Sequence, residues 1–263
     1  MSRVRFEPIP LLIHQTWKTT TIPVEWVGYR DSWLRHHPAW RHVLWTDDDL
    51  ERLVVERYPW FLPAFRAFPR QIQRVDAGKY FVLHACGGVY ADLDCECLRP
   101  LDAIVERGGL IVVRTPDRVI DGALLASPPG HPFWLETFAQ MRDPPYWVRP
   151  LRGIPPLRAS HVLLTTGPQM LRRSVRRYRR ELASGRAASG VTVIEPGFFA
   201  GRSWLRRFEP DSSTDAWLRH HHSDSWLTPL EVRLHGYLTA RNARRGALVL
   251  AAAMAAVVVG LAR

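Results

Sequence analysis

Apolar and polar positions along this chain fall into two alternating rhythms. Short apolar runs read as strands: "IPLLIHQTW" (9–17), "RHVLWT" (41–46), "VYADLD" (89–94), "GLIVVR" (109–114), "GALLAS" (122–127) and "VTVIEP" (191–196). Between them lie longer stretches whose apolar positions recur every three to four residues, the spacing of a helix with one buried face. These are "VEWVGYRDSWLRHHP" (24–38), "DDDLERLVVERY" (47–58), a run from about Gln71 to Ala85, "HPFWLETFAQMR" (131–142) and "TGPQMLRRSVRRYRRELA" (166–183). Thr46 stands where an N-cap belongs, ahead of three aspartates that favour the positive end of the helix dipole. Gly87–Gly88 stops the helix before "VYADLD", and "SGRAASG" (184–190) reads as a loop. Strands alternating with helices predict an α/β domain with a mainly parallel central sheet, and such sheets bind ligands at the carboxyl ends of their strands.

The acidic pair Asp92 and Asp94 sits at one of those ends. In a strand, residues two apart share a face, so Tyr90, Asp92 and Asp94 are expected on one side. Two neighbouring carboxylates repel unless a cation or water intervenes. Hard oxygen ligands suit Mg²⁺ or Mn²⁺, ions that also bind substrate phosphates. The two glycines allow a sharp turn and a close approach of ligand to backbone.

Composition narrows the classes. The formal net charge of +11 favours an anionic partner, and of 36 basic residues only Lys18 and Lys79 are lysines. The arginines of "LRRSVRRYRR" (171–180) surround most of a helix and suit anionic headgroups or plain solvation. Cys86, Cys95 and Cys97 form neither a disulfide framework nor a zinc-ligand spacing. No zinc-finger or RNA-recognition signature accompanies the charge, so nucleic acid is not expected as a partner. A metal-dependent phosphohydrolase would want further carboxylates for a second ion. The opening residues hold no long apolar run of the signal-peptide kind. Near the other end, "GALVLAAAMAAVVVGLA" (246–262) is uncharged and flanked by Arg241, Arg244 and Arg245, which predicts a transmembrane helix at the short end of the usual range.

Five stretches in this order, "IHQTWK", "LWTDDD", "QRVDAGKYFVLHACGGVYADLDCECLRPLD", "TTGPQM" and "HHHSDSW", resemble family 32 glycosyltransferases. The likeness is greatest to the branch of mannosylinositol phosphorylceramide synthases, with initiating α-1,6-mannosyltransferases related. It spans Ile9 to Trp226. It implies a GT-A-type nucleotide-sugar domain over residues 1–240, ahead of the apolar segment 246–262.

By this resemblance Asp94 holds a divalent ion, Mn²⁺ or Mg²⁺, and Asp92 assists it while contacting the donor. Tyr90 lies beside the nucleotide, and Asp76 bonds donor sugar hydroxyls. Lys79 replaces the arginine usual in the family, a point charge in place of a planar fork. His14 and Trp17 match the opening motif, with Trp17 stacked on the base. In the late motif His221 is the favoured metal ligand, His220 the next and Asp224 a further candidate, while Ser225 and Trp226 complete the match and Trp226 packs near the diphosphate. Thr166, Gly167 and Pro168 shape the acceptor side.

The implied activity is metal-dependent, configuration-retaining transfer of a hexose, mannose from GDP-mannose, to a membrane-associated acceptor such as inositol phosphorylceramide. A protein or polysaccharide glycan is the alternative acceptor, and a basic nucleic-acid- or lipid-binding protein with a degenerate site the alternative class. The resemblance also implies a regulatory subunit as a partner and a Golgi-like membrane location through the C-terminal helix.

Overall fold

The computed structural model describes residues 6–114, 120–153, 157–187, 189–194, 199–200, 216–223, 226–228 and 231. The predicted membrane helix at 246–262, with Asp224 and Ser225, lies outside them. Among the described residues no helix is long and apolar enough to cross a membrane.

The first half follows the predicted alternation. Strand β1 (Leu12–Thr16) leads to α1 (Val24–His36), β2 (Arg41–Trp45) and α2 (Asp47–Arg57). Thr46 caps α2: its hydroxyl accepts from the Asp49 amide while the Asp49 carboxylate accepts from the Thr46 amide. A short α3 (Leu62–Ala67) precedes α4 (Gln71–Cys86), which ends at Gly87 and hands over to β3 (Gly88–Ala91). Gly88 has φ +97, and a Cβ there would stand 2.8 Å from Leu12 Cβ, so only glycine fits. Then come β4 (Cys95–Cys97), α5 (Asp102–Val105), β5 (Leu110–Arg114), β6 (Ile120–Ser127) and α6 (Phe133–Arg142). A 3₁₀ segment (Tyr146–Gly153) leads into α7 (Arg158–Thr165) and α8 (Pro168–Ala183), followed by β7 (Val191–Ile194), β8 (Phe199–Ala200) and β9 (Leu218–His220).

Six strands form the main sheet in the order β2-β1-β3-β6-β5-β7. Three of its five pairings are parallel, and β6 alone runs against its neighbours. The sheet is mostly parallel, as expected, but the "GALLAS" strand is antiparallel. Both faces are covered. Tyr90, Leu110, Val112 and Leu125 face a core built from α2, α4, α6 and α8. Val89, Ala91, Ile111 and Val113 face a second core that includes Trp33 of α1 and Ile104 of α5. Burial on both faces explains why the strands are apolar throughout. A small sheet, β4-β9-β8, sits apart and pairs Cys95 with His220.

Candidate active site

The acidic pair does not share one strand face as the sequence pattern predicts. Strand β3 ends at Ala91, and Asp92 to Asp94 form a turn closed by the Cys95 amide on the Asp92 carbonyl at 3.0 Å. The strand argument covers only Tyr90 and Asp92, whose Tyr90 hydroxyl donates to Asp92 Oδ1 at 2.9 Å while Thr16 donates to Tyr90. Asp94 enters the same region because the chain turns and because the β9 end grips it. The Ser223 amide donates to Asp94 Oδ2 at 2.8 Å and the His221 amide to the Asp94 carbonyl at 3.1 Å.

Helix α4 supplies the opposite side. Asp76 and Lys79 stand one turn apart and are both buried, with Lys79 Nζ 2.9 Å from Asp76 Oδ1. Thr166, at the α7–α8 junction, donates to Asp76 Oδ2 at 3.0 Å. Burial opposes the charge of Lys79, yet Asp76 and Asp92 hold its ammonium well above the ordinary lysine range. Gly122 makes room for it: a Cβ there would come 3.0 Å from Lys79 Nζ. Asp92 is pushed up to about 6 by burial, against the pull of Lys79 and with the repulsion of Asp94 adding to it. Asp94 meets the same desolvation but falls below the usual carboxylate range, because His220 and the Ser223 amide outweigh it.

His220 lies between two carboxylates, Nε2 at 3.4 Å from Asp94 and Nδ1 at 3.7 Å from Asp121. Desolvation opposes its charge, but Asp121 and Asp94 hold the imidazolium well above its ordinary range. Asp121 in turn is lowered to about 2, its desolvation overcome by His220 and the Ala123 amide. Four carboxyl groups, Asp76, Asp92, Asp94 and Asp121, thus gather around Lys79 and His220. Asp94, Cys95 and His220 each offer one ligand atom, all within 4.8 Å of one another. The Cys95 thiol is raised well above its ordinary range by burial and by Asp94, Asp92 and Asp121, so it is a poor ligand. The Asp94 carboxylate and the His220 imidazole fit a divalent cation only once His220 has released its proton, so the ion and that proton exclude each other.

A protein-family model described as the glycosyltransferase sugar-binding region containing the DXD motif matches residues 23–108, the span that carries α4 and the acidic turn. Residues 23–108 thus carry the sugar-binding region of this glycosyltransferase family. Inositol phosphoceramide mannosyltransferase 2 of Schizosaccharomyces pombe is 32% identical over 225 residues, 83% of this chain and 58% of the relative. Mannosyl phosphorylinositol ceramide synthase CSH1 of Saccharomyces cerevisiae is 34% identical over 190 residues, 72% of this chain and 48% of the relative. The chain therefore spans about half the length of these two relatives. The ligand-free glycosyltransferase domain of the YGT toxin matches with a TM-score of 0.50 at 10% identity, covering 72% of this chain and 80% of that one. At that identity the likeness concerns the fold alone.

Of the residues that the glycosyltransferase motifs single out, the structure brings together Asp76, Lys79, Tyr90, Asp92, Asp94 and His220. It turns His221 away: the ring stacks on Tyr29 with centroids 4.0 Å apart, and Nε2 lies 3.2 Å from Glu96. Of these two histidines it is His220, and not His221, whose ring faces Asp94. His220 ends β9 opposite Cys95, and His221, the next residue along the extended chain, leaves on the other side. His14 is also placed differently. The Trp45 indole donates to its Nδ1 and its Nε2 donates to the Gly87 carbonyl, so both nitrogens brace the glycine turn and neither is offered to a nucleotide.

Trp17 is half-buried, edge-on to Trp26 at 4.6 Å with Lys18 over its ring. Trp226 is held by Arg70, which donates to its carbonyl and lies 5.6 Å from its ring. Arg70 is itself paired with Glu231 at 2.7 Å. Asp121 belongs to none of the motifs. Its only signal is a charge interrupting an otherwise apolar strand.

Proposed function

We propose that this chain is a metal-dependent, retaining hexosyltransferase with a GT-A-type domain, moving mannose from GDP-mannose to a membrane-associated acceptor such as inositol phosphorylceramide. The observation that carries the reading is the buried Asp76–Lys79–Asp92 group joined to Asp94 and His220 at the carboxyl end of β3. The names of the two relatives support mannose and the sphingolipid acceptor.

Asp94 and His220 would hold the divalent cation, with Asp92 beside them. When bound, such an ion supplies Lewis acidity to the diphosphate leaving group. The chain's own residues do the rest. Lys79 places a positive charge beside Asp76 and within reach of Asp92, where it opposes the rise that burial imposes on Asp92. Asp76 then offers its remaining lone pairs to sugar hydroxyls, its direction fixed by Lys79 on one oxygen and Thr166 on the other. Tyr90, buried and hydrogen-bonded to Thr16 and Asp92, locks the Asp92 rotamer. The geometry is set before substrate arrives, which is where preorganised electrostatics gain their advantage.

A thermal-shift screen of nucleotide sugars with and without Mn²⁺ tests this reading. GDP-mannose should stabilise the protein only when the ion is present. Asp94→Ala should abolish that stabilisation and lower transfer about a hundred- to thousandfold while the fold persists. Donor binding that ignores chelator, or an Asp94→Ala variant with near wild-type turnover, overturns it.

A further inference from the structure

Helix α8 is two-sided. Met170, Leu171, Ser174, Val175 and Tyr178 are buried on one side. Arg172, Arg176 and Arg180 recur every four residues on the other, with Arg179 beside them, and all but the half-buried Arg172 are exposed. Two further arginines of the helix are engaged within the protein: Arg177 pairs with Glu136 at 3.2 Å, and Arg173 donates to the Leu164 carbonyl. Among the described residues this face is a row of cations with no carboxylate paired to Arg172, Arg176, Arg179 or Arg180.

The 3₁₀ segment packs on α7 through Val148, Leu151, Leu157 and Leu164. It leaves Tyr146 84% and Trp147 47% exposed. Aromatic side chains with a polar atom favour the headgroup layer of a membrane, and arginines favour anionic headgroups. An aromatic pair and an arginine row, on two elements that both pack against α7, supply the two parts of an interfacial anchor.

From this we infer that the outward face of α8, with Tyr146 and Trp147, docks the protein on an anionic phospholipid bilayer. The inference is independent of the donor chemistry proposed above. It adds a place for that chemistry, because the α7–α8 junction that supports the arginine row also carries Thr166, which touches Asp76.

Sedimentation of the full chain with vesicles tests it. One set is phosphatidylcholine alone, and the other contains phosphatidylserine at about one lipid in four. The apolar segment itself is indifferent to headgroup charge but its flanking arginines are not, so the readout is the part of the anionic excess that depends on the α8 arginines. We expect at least a tenfold excess, falling steeply with salt. Reversing four charges together (Arg172→Glu, Arg176→Glu, Arg179→Glu and Arg180→Glu) should remove that part of the excess. The double variant Tyr146→Ala with Trp147→Ala, at exposed positions that leave the core intact, should lower it about fivefold or more. Both variants should keep the donor-induced thermal shift, so a failed docking surface and a failed transferase reading are told apart. Equal binding to both vesicle sets, or an excess that survives charge reversal undiminished, overturns the inference. So does arginine-dependent binding of single-stranded RNA without vesicle preference, which would make the face a polyanion site.

Discussion

Replacing Lys79 by methionine removes one positive charge and nearly preserves volume, so packing loss is small and the electrostatic role is isolated. Lys79 Nζ is 2.9 Å from Asp76 Oδ1, and both groups are buried. At an effective dielectric of about 20, opposite unit charges at that separation attract by about 6 kcal/mol. Part of this is returned because methionine needs no desolvation of an ammonium. Removing one partner of a buried pair typically costs about 3–5 kcal/mol, since the other charge is left uncompensated. Native domains have about 5–15 kcal/mol in all, so the variant should fold but lie close to its limit.

The pH dependence separates charge from packing. Asp92 already sits at about 6 because of burial, with Lys79 pulling it down. Without the ammonium that pull is gone, so Asp92 rises further and takes up its proton at a higher pH than in wild type. A carboxyl raised in the folded state destabilises folding above its unfolded value of about 4 and stops doing so below it. The deficit of Lys79→Met relative to wild type should therefore be greatest near pH 7 and shrink toward pH 4. Urea unfolding followed by circular dichroism, in chelator so that no cation enters, measures it. A deficit below about 1 kcal/mol at pH 7, or one that stays constant down to pH 4, refutes the assignment of Lys79 as the counter-charge of this cluster.

Three further outcomes follow from single groups. Asp121→Asn should weaken Mn²⁺ affinity about ten- to a hundredfold, read by electron paramagnetic resonance of the free ion, because Asp121 orients His220; His221→Ala should leave it unchanged. Gly88→Ala should destabilise by about 3 kcal/mol or more in urea melts, since it forces a side chain into positive φ and against Leu12. His14 is lowered to about 4, chiefly by burial, so the folded state refuses a proton that the unfolded chain accepts. Stability is retained above about pH 6.5 and lost as pH falls to about 4, by up to about 3 kcal/mol for this group. His14→Gln should remove that share of the slope, whatever it does to stability at neutral pH.

The elements that were legible from sequence are those whose burial is periodic. Helices α1, α2, α4, α6 and α8 and strands β1, β2, β5 and β7 carry their own apolar pattern and their own stops, such as Thr46 before α2 and Gly87 after α4. What was not legible depends on partners far away in the chain. Strand β6 is as apolar as its neighbours, and nothing in its own pattern records that it runs antiparallel. Strands β4 and β9 are three residues each and exist because Cys95 meets His220 from 125 positions away. The 3₁₀ segment contains Pro150, which disguises its helical character.

The same distinction runs through the site. Asp76 and Lys79 could be read because one helical turn separates them, and Asp92 because it follows Tyr90 on a strand. Asp94 is singled out by the motif, but strand alternation does not place it; a turn and the Ser223 amide do. Asp121 required knowing that β6 is reversed. Because β6 runs against β3, its first residues stand at the edge where β3 ends, as the Asp92 amide on the Ala123 carbonyl shows. A parallel β6 would have carried Asp121 to the opposite edge of the sheet. The choice between His220 and His221 likewise turns on one pairing. With Cys95 opposite His220, the pleat sends His220 toward Asp94 and Asp121 and sends His221 toward Tyr29 and Glu96. A slip of one residue in that register would exchange the two histidines. Which histidine faces Asp94 is thus a property of the β4–β9 register, and the run of three histidines contains no information that fixes it.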